Sequence, residues 1–231
     1  MEQLSPLVRN NGRRNGNKKA FTLIELMSVL AVVAILSATA GPALSALVGA
    51  GDINRSITTL SGTLELARTY SMTHHTYVRV AFSTIPVGGS RLTPGVGVMV
   101  MYSADGTLDA DTPADMTDIT KWPEANKALF LENLSMDDSL NSSTPATSQD
   151  VIPSASDIGS FNRRIGGIAS ASFTSFVQFG PDGEARVLKG EPARYIKLGM
   201  NRPAQQKGRN PFVLRVSGIN GTIHVLRKES L

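Results

Sequence analysis

The chain has 231 residues, a formal net charge of +4, 6% aromatic residues and no cysteine. The lack of cysteine excludes thiol catalysis, zinc–thiolate sites and iron–sulfur clusters. The excess positive charge lies in residues 1–20, which hold five Lys or Arg and one Glu, whereas residues 21–231 hold eighteen of each sign. The pI near 9.5 therefore does not indicate a nucleic-acid surface.

An apolar segment follows this basic stretch. Residues 21–40 read FTLIELMSVLAVVAILSATA and contain a single charged residue, Glu25. About 20 apolar residues is the length that a helix needs to cross a bilayer, and the preceding basic residues predict a cytoplasmic N-terminus. A carboxylate in such a segment costs roughly 2.5–3.5 kcal/mol on insertion scales. Glu25 is therefore predicted to have a function.

The residues around the start of this segment resemble the cleavage and methylation signal of type IV prepilins and type II secretion pseudopilins. They read Lys18-Lys19-Ala20-Phe21, with Glu25 four residues further on. The resemblance implies that a prepilin peptidase recognises Lys18 and Lys19, cuts between Ala20 and Phe21, and N-methylates Phe21. It also implies that Glu25 pairs with the N-terminal amine of a neighbouring subunit during assembly. The family usually has Gly before the cut, so Ala20 implies slower processing.

Two other interpretations of this segment remain open. One is an ordinary secretory signal peptide, because Ala38-Thr39-Ala40 fits its small-residue cleavage pattern and would release a soluble periplasmic protein starting at Gly41. Glu25 and a segment longer than the usual apolar region of about 7–15 residues argue against it. The other interpretation is an uncleaved single-span anchor.

One long helix is predicted over residues 21–73. Pro42 follows Gly41 and predicts a kink, because proline removes a backbone hydrogen bond and clashes with the preceding turn. Apolar or small residues recur at helical spacing beyond it: Leu44, Leu47, Val48, Ile57, Leu60, Leu64, Ala67 and Ser71. The predicted domains are a leader at 1–20, a membrane and assembly helix at 21–50, and a periplasmic globular domain at 51–231.

The globular domain is predicted to be an antiparallel sheet packed on the second half of the helix, an α+β fold. After His74 the sequence period changes to two, and strands are predicted at 78–82 (half-buried), 96–102, 173–179, 184–188, 195–198, 211–216 and 222–226. Asn220-Gly221 predicts a hairpin between the last two strands. A short helix is predicted at 124–129, and exposed loops are predicted at 135–160 and 200–210.

Three short stretches resemble the minor pseudopilin H and FimT-type minor pilin family: 66–68 (Leu-Ala-Arg), 78–82 (Val-Arg-Val-Ala-Phe) and 179–183 (Phe-Gly-Pro-Asp-Gly). The resemblance implies a subunit of a secretion pseudopilus or type IV pilus. Its partners would be sibling pilins, the peptidase and an inner-membrane assembly platform. Residues 104–170 have no counterpart in the resemblance and form a predicted variable insertion. They are the candidate for an alternative function, a pilus-tip module that binds surfaces or DNA.

Metal and catalytic sites have little support. An acidic cluster surrounds Gly106: Asp105, Asp109, Asp111 and Asp115. Calcium is one interpretation, although the spacing is not that of an EF-hand loop and a solvated acidic loop is favoured. His74 and His75 are adjacent and so point apart, which favours an interaction with the helix dipole over metal binding. Hydrolase, zinc-protease and phosphate-loop motifs are absent from the sequence, so neither an enzyme nor a cofactor is expected.

Overall fold

The computed structural model describes residues 21–86, 93–140, 150–153, 159–166, 168–187, 192–203 and 211–227, without the side chains of residues 39–50, 168 and 169. The chain divides into two compact units, Met1–Leu44 and Ser45–Leu231. Lys18, Lys19 and Ala20 lie outside the described residues.

Helix α1 runs from Leu23 to His74, which confirms the predicted helix. Its backbone stays helical through Gly41 and Pro42, so the proline does not divide it into two helices, and a kink there stays a prediction. Within the part of the chain that the structure describes, no helix combines the length and the apolar character needed to cross a membrane. The predicted membrane span at residues 21–40 is therefore not confirmed.

The globular unit is built from one further helix and from short strands. In chain order they are β1 (Val78–Ile85), β2 (Gly95–Tyr102), α2 (Pro113–Thr117), β3 (Leu129–Glu132), β4 (Ser135–Met136), β5 (Asp150–Val151), β6 (Phe161–Ile165), β7 (Ile168–Phe173), β8 (Ser175–Phe179), β9 (Ala185–Arg186), β10 (Tyr195–Asn201), β11 (Phe212–Ser217) and β12 (Ile223–Arg227). A first, antiparallel sheet has the order β3-β2-β1-β8-β9, and a second has the order β12-β11-β10-β4, with β5 parallel to β10. Strands β6 and β7 form a separate hairpin.

The main core lies between the second half of α1 and both larger sheets. The helix contributes a stripe at alternating steps of four and three residues, each at most 8% exposed: Ile53, Ile57, Leu60, Leu64 and Ala67. One face of the first sheet, including Val80 and Phe82, and one face of the second, including Leu198 and Leu214, join this cluster. The predicted packing is confirmed for Ile57, Leu60, Leu64 and Ala67, and Ile53 joins them although it was not predicted. The side chains of Leu44, Leu47 and Val48 are not described.

A second core covers the opposite face of the first sheet. Its members come from β1, β2 and β8 on one side and from the segment between α2 and β7 on the other: Ala81, Met99, Met101, Phe176, Met116, Trp122, Phe161 and Phe173. Strand β1 is consequently buried on both faces, and the prediction of a half-buried strand is wrong. Alternating polar and apolar residues indicate a solvent-exposed face of a strand only when no other part of the chain covers that face.

Much of the region 104–170 is therefore folded, and we call the part that covers the first sheet the outer layer (residues 104–128 and the described residues of 159–173). The helix predicted at 124–129 is wrong, because Glu124 forms an isolated bridge with Met101 and Leu129 begins β3, which pairs with β2. The loop predicted at 135–160 contains β4 and β5. Of the strand predicted at 184–188 the structure has Ala185–Arg186, and residue 188 lies outside the described residues. The closing hairpin of β11 and β12 is confirmed.

Candidate functional site

The start of α1 is organised around Glu25. The Glu25 N–H donates to Thr22 Oγ1 at 3.3 Å, and the Thr22 N–H donates to Glu25 Oε2 at 3.5 Å. Because the helix begins at Leu23, Thr22 is its N-cap and Glu25 its third residue, so the two form a reciprocal capping box. The Thr-x-x-Glu spacing was visible in the sequence, but the predictions for Glu25 did not use it.

This geometry places the carboxylate near the predicted cleavage point. Phe21 is 81% exposed, and it immediately precedes Thr22, whose N–H donates a hydrogen bond to the Glu25 carboxylate. Cleavage between Ala20 and Phe21 would create an amine one residue before Thr22. The Glu25 carboxylate could then pair with the amine of its own chain or with that of another subunit, while still capping the helix.

The described first turns of α1 present apolar side chains on every side. The large ones are all more than half exposed: Leu23, Ile24, Leu26, Met27, Val29, Leu30, Val32, Val33, Ile35 and Leu36. Helices that are apolar all round are normally buried in a protein core or in lipid. This surface therefore suits association with lipid or with other apolar helices.

The four residues of the acidic cluster have separate surroundings. Asp105 accepts hydrogen bonds from the Thr107 N–H at 2.9 Å and from Ser103 Oγ at 2.7 Å, and these bonds lower the pKa of its carboxyl group. Asp111 pairs with Arg79, Asp115 caps α2, and Asp109 is exposed. Among the described residues, no group of three or more His, Asp or Glu is placed to hold a metal ion. The carboxylates therefore do not converge on a calcium site.

Asp115 has the most perturbed carboxyl group of this cluster. Lys121 Nζ donates to its Oδ1 at 2.5 Å, and Thr112 donates to its Oδ2 from both the hydroxyl, at 2.6 Å, and the backbone N–H, at 3.1 Å. The Lys121 hydrogen bond, followed by those from Thr112, lowers the pKa of Asp115 to about 2. Asp115 thus fixes the start of α2 by a capping box and an ion pair.

We expect carboxyl NMR titration to give Asp115 a pKa of about 2, and Lys121→Met to raise it. The folded-state pKa lies below the unfolded value of roughly 3.9, so this contribution to stability is present above that value and is lost as pH falls through about 2. Lys127→Met, which removes an exposed lysine six residues further along the chain, is the control and should leave the pKa unchanged. An equal pKa in the Lys121 and Lys127 variants would contradict the ion pair.

Arg79 is buried between the first sheet and the outer layer, at 1% exposure. Its Nε donates to Gln178 Oε1 at 2.9 Å, and its Nη2 pairs with Asp111 Oδ1. The guanidinium carbon lies 4.2 Å from the ring centroid of Trp122 and 4.5 Å from that of Phe176. Burial lowers the pKa of Arg79, and the Asp111 carboxylate opposes this effect. The sequence prediction had placed Arg79 on the polar face of a half-buried strand.

A second arginine, Arg163 of β6, holds the outer layer together. Its Nε donates to the carbonyl of Met116 at 2.8 Å, and its Nη2 donates to the carbonyls of Asp118 at 3.0 Å and Trp122 at 2.7 Å. Burial lowers its pKa. One side chain thereby satisfies three backbone acceptors around the end of α2, which explains how a segment rich in turns keeps a fixed conformation.

The two histidines end α1. The ring of His74 packs on Tyr70 with centroids 4.1 Å apart, and His75 adopts a left-handed conformation with φ of 51°. The Thr76 N–H donates to the carbonyl of Ser71 at 3.2 Å, the long-range bond of a Schellman end. Both side chains are exposed, and they contribute to no metal cluster within the described ranges.

Comparison with known proteins identifies the N-terminal segment. Residues 15–41 match a family model described as the prokaryotic N-terminal methylation motif, and this match includes Lys18, Lys19, Ala20, Phe21 and Glu25. Neither the comparison with curated proteins nor that with solved structures gives a significant match. The chain therefore carries a prokaryotic N-terminal methylation motif, and this motif supports a type IV prepilin-like protein.

Proposed function

We propose that the chain is a minor pilin or pseudopilin subunit, most like the pseudopilin H and FimT-type group. After cleavage by a prepilin peptidase it would assemble into a type II secretion pseudopilus or a type IV pilus, and its work would be assembly without catalytic turnover. The observation that carries the proposal is the methylation motif at 15–41, with Glu25 in the first turn of a helix whose residues 23–36 present apolar side chains on every side.

The proposal assigns each part of the chain a place. The basic leader at 1–20 would remain in the cytoplasm, residues 21–50 would form the membrane and assembly helix, and residues 51–231 would lie in the periplasm. The partners of the chain would be sibling pilins, the peptidase and an inner-membrane assembly platform. The apolar surface of residues 23–36 supports this assignment, because lipid and sibling helices are both apolar surroundings.

Glu25 would direct assembly through its charge. In a low-dielectric environment an unpaired carboxylate is costly, and an amine of opposite charge within a few ångströms reduces that cost. The capping box holds the carboxylate at the end of the helix, where the methylated amine of Phe21 in another subunit could reach it. Only the attraction in excess of desolvation would favour assembly.

The first test of the proposal is the chemistry of the mature N-terminus. We expect mass spectrometry of the chain, purified from a host with a prepilin peptidase, to show N-methylated Phe21 as the first residue. Ala20→Gly should increase the processed fraction, since it restores the small residue that the family usually has. A mature chain starting at Gly41 would instead show release by an ordinary signal peptidase and would overturn the proposal.

The second test separates the charge of Glu25 from its capping role. Glu25→Gln keeps a capping box, since Gln can also accept from the N-cap N–H, but it removes the charge. Thr22→Val keeps the charge and removes the hydroxyl that caps the helix. We expect Glu25→Gln and Glu25→Ala to insert and be processed but to co-purify poorly with sibling pilins in mild detergent, whereas Thr22→Val co-purifies well. The opposite ranking of Glu25→Gln and Thr22→Val would show that Glu25 acts only as a cap.

A further inference from the structure

The strand β12 leaves one backbone edge open. It is the last strand of the second sheet, and within the described residues only β11 pairs with it. His224, Val225 and Arg227 are exposed, and Val225 is 37% exposed although its neighbour across the ladder, Leu214, is fully buried. Open edges in proteins are usually protected by charged side chains, proline or a bulge; β12 (Ile-His-Val-Leu-Arg) has neither proline nor a bulge, and its one charged residue, Arg227, is at its end.

The ladder shows which backbone groups face this open edge. The Ser217 N–H donates to the Thr222 carbonyl at 2.8 Å across the hairpin, and hydrogen-bonded and non-hydrogen-bonded pairs alternate along an antiparallel ladder. The pair Arg215–His224 is therefore hydrogen-bonded, whereas Leu214–Val225 is not. The N–H and carbonyl of Val225 consequently point away from β11. Such a row of outward donors and acceptors is satisfied by an extended polypeptide backbone.

The face of the second sheet that points away from the main core is positively charged beside this edge. Lys197, Arg215 and His224 are paired in register across β10, β11 and β12. Lys197 is neutralised by Asp150, with Nζ and Oδ2 2.8 Å apart. The guanidinium carbons of Arg215 and Arg194 lie 4.2 Å and 5.6 Å from the ring centroid of Tyr195, and among the described residues no carboxylate pairs with either arginine.

The charge distribution along the chain agrees with this local picture. Residues 160–227 hold eleven Lys or Arg against three Asp or Glu, whereas residues 104–150 hold two against ten. Residues 21–231 as a whole therefore have balanced charges, although the C-terminal part of the chain is basic. On this face the cation beside the edge is Arg215, one strand in from His224, which is neutral at pH 7; at that distance it still attracts an acidic side chain. A strand that pairs with β12 should therefore carry acidic side chains on the face shared with His224.

We propose that β12 is a docking edge for an extended acidic segment of a partner protein. The partner strand adds to the second sheet through the outward backbone groups of Val225. Its alternate acidic side chains lie beside His224, in the positive field of Arg215 and Arg194. Because strand addition needs no membrane and no filament, this inference does not depend on the proposed function.

The test measures binding of a fluorescent peptide with alternating Val and Glu to the full-length chain in mild detergent. We expect saturable binding that weakens as salt is added, and about tenfold weaker binding of the matched peptide with Gln in place of Glu. Val225→Pro removes an outward N–H while the ladder to β11 is kept, a position where an edge strand tolerates proline. It should weaken binding at least about tenfold, whereas Val225→Thr should not.

Two further variants address the charge. Arg215→Gln should weaken binding about threefold and reduce its salt dependence, because Arg215 is one strand removed from the docked segment. Arg164→Gln, which removes an exposed arginine from β6, should change neither. Absence of peptide binding, or binding that Val225→Pro leaves intact, would overturn the proposal. So would tight binding of a single-stranded oligonucleotide that responds to Arg215→Gln and not to Val225→Pro, which would indicate a phosphate-binding face.

Discussion

Asp111→Ala should destabilise the globular domain by about 3 kcal/mol, near the lower end of the 3–5 kcal/mol typical of breaking a buried ion pair. The reason is the position of Arg79, whose side chain is 1% exposed while that of Asp111 is 24% exposed. Without Asp111 the guanidinium would remain between two aromatic rings, where it donates a hydrogen bond to the neutral Gln178 Oε1 but faces no carboxylate of Asp111. Chemical denaturation followed by circular dichroism gives the free energy of unfolding.

The matched variants distinguish an ion pair from simple loss of packing. Arg79→Met removes the buried charge but keeps an unbranched side chain between Trp122 and Phe176. We expect it to cost about 1–3 kcal/mol, because no buried charge is left behind but the buried Gln178 Oε1 loses its donor. Combined with Asp111→Ala it should recover part of the lost stability, as a double-mutant cycle would show. Asp109→Ala, at an exposed neighbour, should be neutral. Equal effects of Asp111→Ala and Asp109→Ala would contradict the role of the pair.

Leu64→Ala should cost about 2–5 kcal/mol, because Leu64 is fully buried in the main core and its removal leaves a cavity. The experiment uses a shortened chain starting at Asp52, which retains the buried stripe from Ile53 onward and is expected to fold as a soluble monomer. Leu66→Ala provides the control, because Leu66 lies two residues further along, about 200° round the same helix, and is 55% exposed. It should change the free energy of unfolding by less than about 0.5 kcal/mol. Similar midpoints for the two variants would place the stripe at an assembly interface.

Sequence periodicity predicted best those elements that alternate regularly between residues facing the core and residues facing away from it. The α1 stripe and the residues Phe212, Leu214 and Val216 of β11 face the main core at regular spacing, so spacing alone indicated the element type and these inward residues. Strand β1 was misjudged because both of its faces are covered, and the cover comes from sequence about 30 to 90 residues away. Local patterning carries no information about such a distant cover.

The candidate sites likewise differ in whether they depend on neighbouring or on distant parts of the sequence. The methylation motif was recognisable because it is a contiguous string, and its family model matches residues 15–41. The pairing of Arg79 with Asp111 and that of Lys197 with Asp150 depend on strand register and on segments that the sequence indicated as loops. Their residue types were visible, but their neighbours were not. The capping role of Glu25 was local and could have been predicted from its spacing to Thr22.

The position of Trp122 gives the molecule an intrinsic optical probe. It is the only tryptophan in the sequence, it is fully buried, and its Nε1 donates to the Ala110 carbonyl at 2.6 Å beneath the Arg79 guanidinium. Its emission therefore reports on hydration between the first sheet and the outer layer, while the far-ultraviolet signal of α1 reports on the helix. Comparing the two signals during unfolding would show whether the outer layer detaches before the helical core melts, without any label attached to the chain.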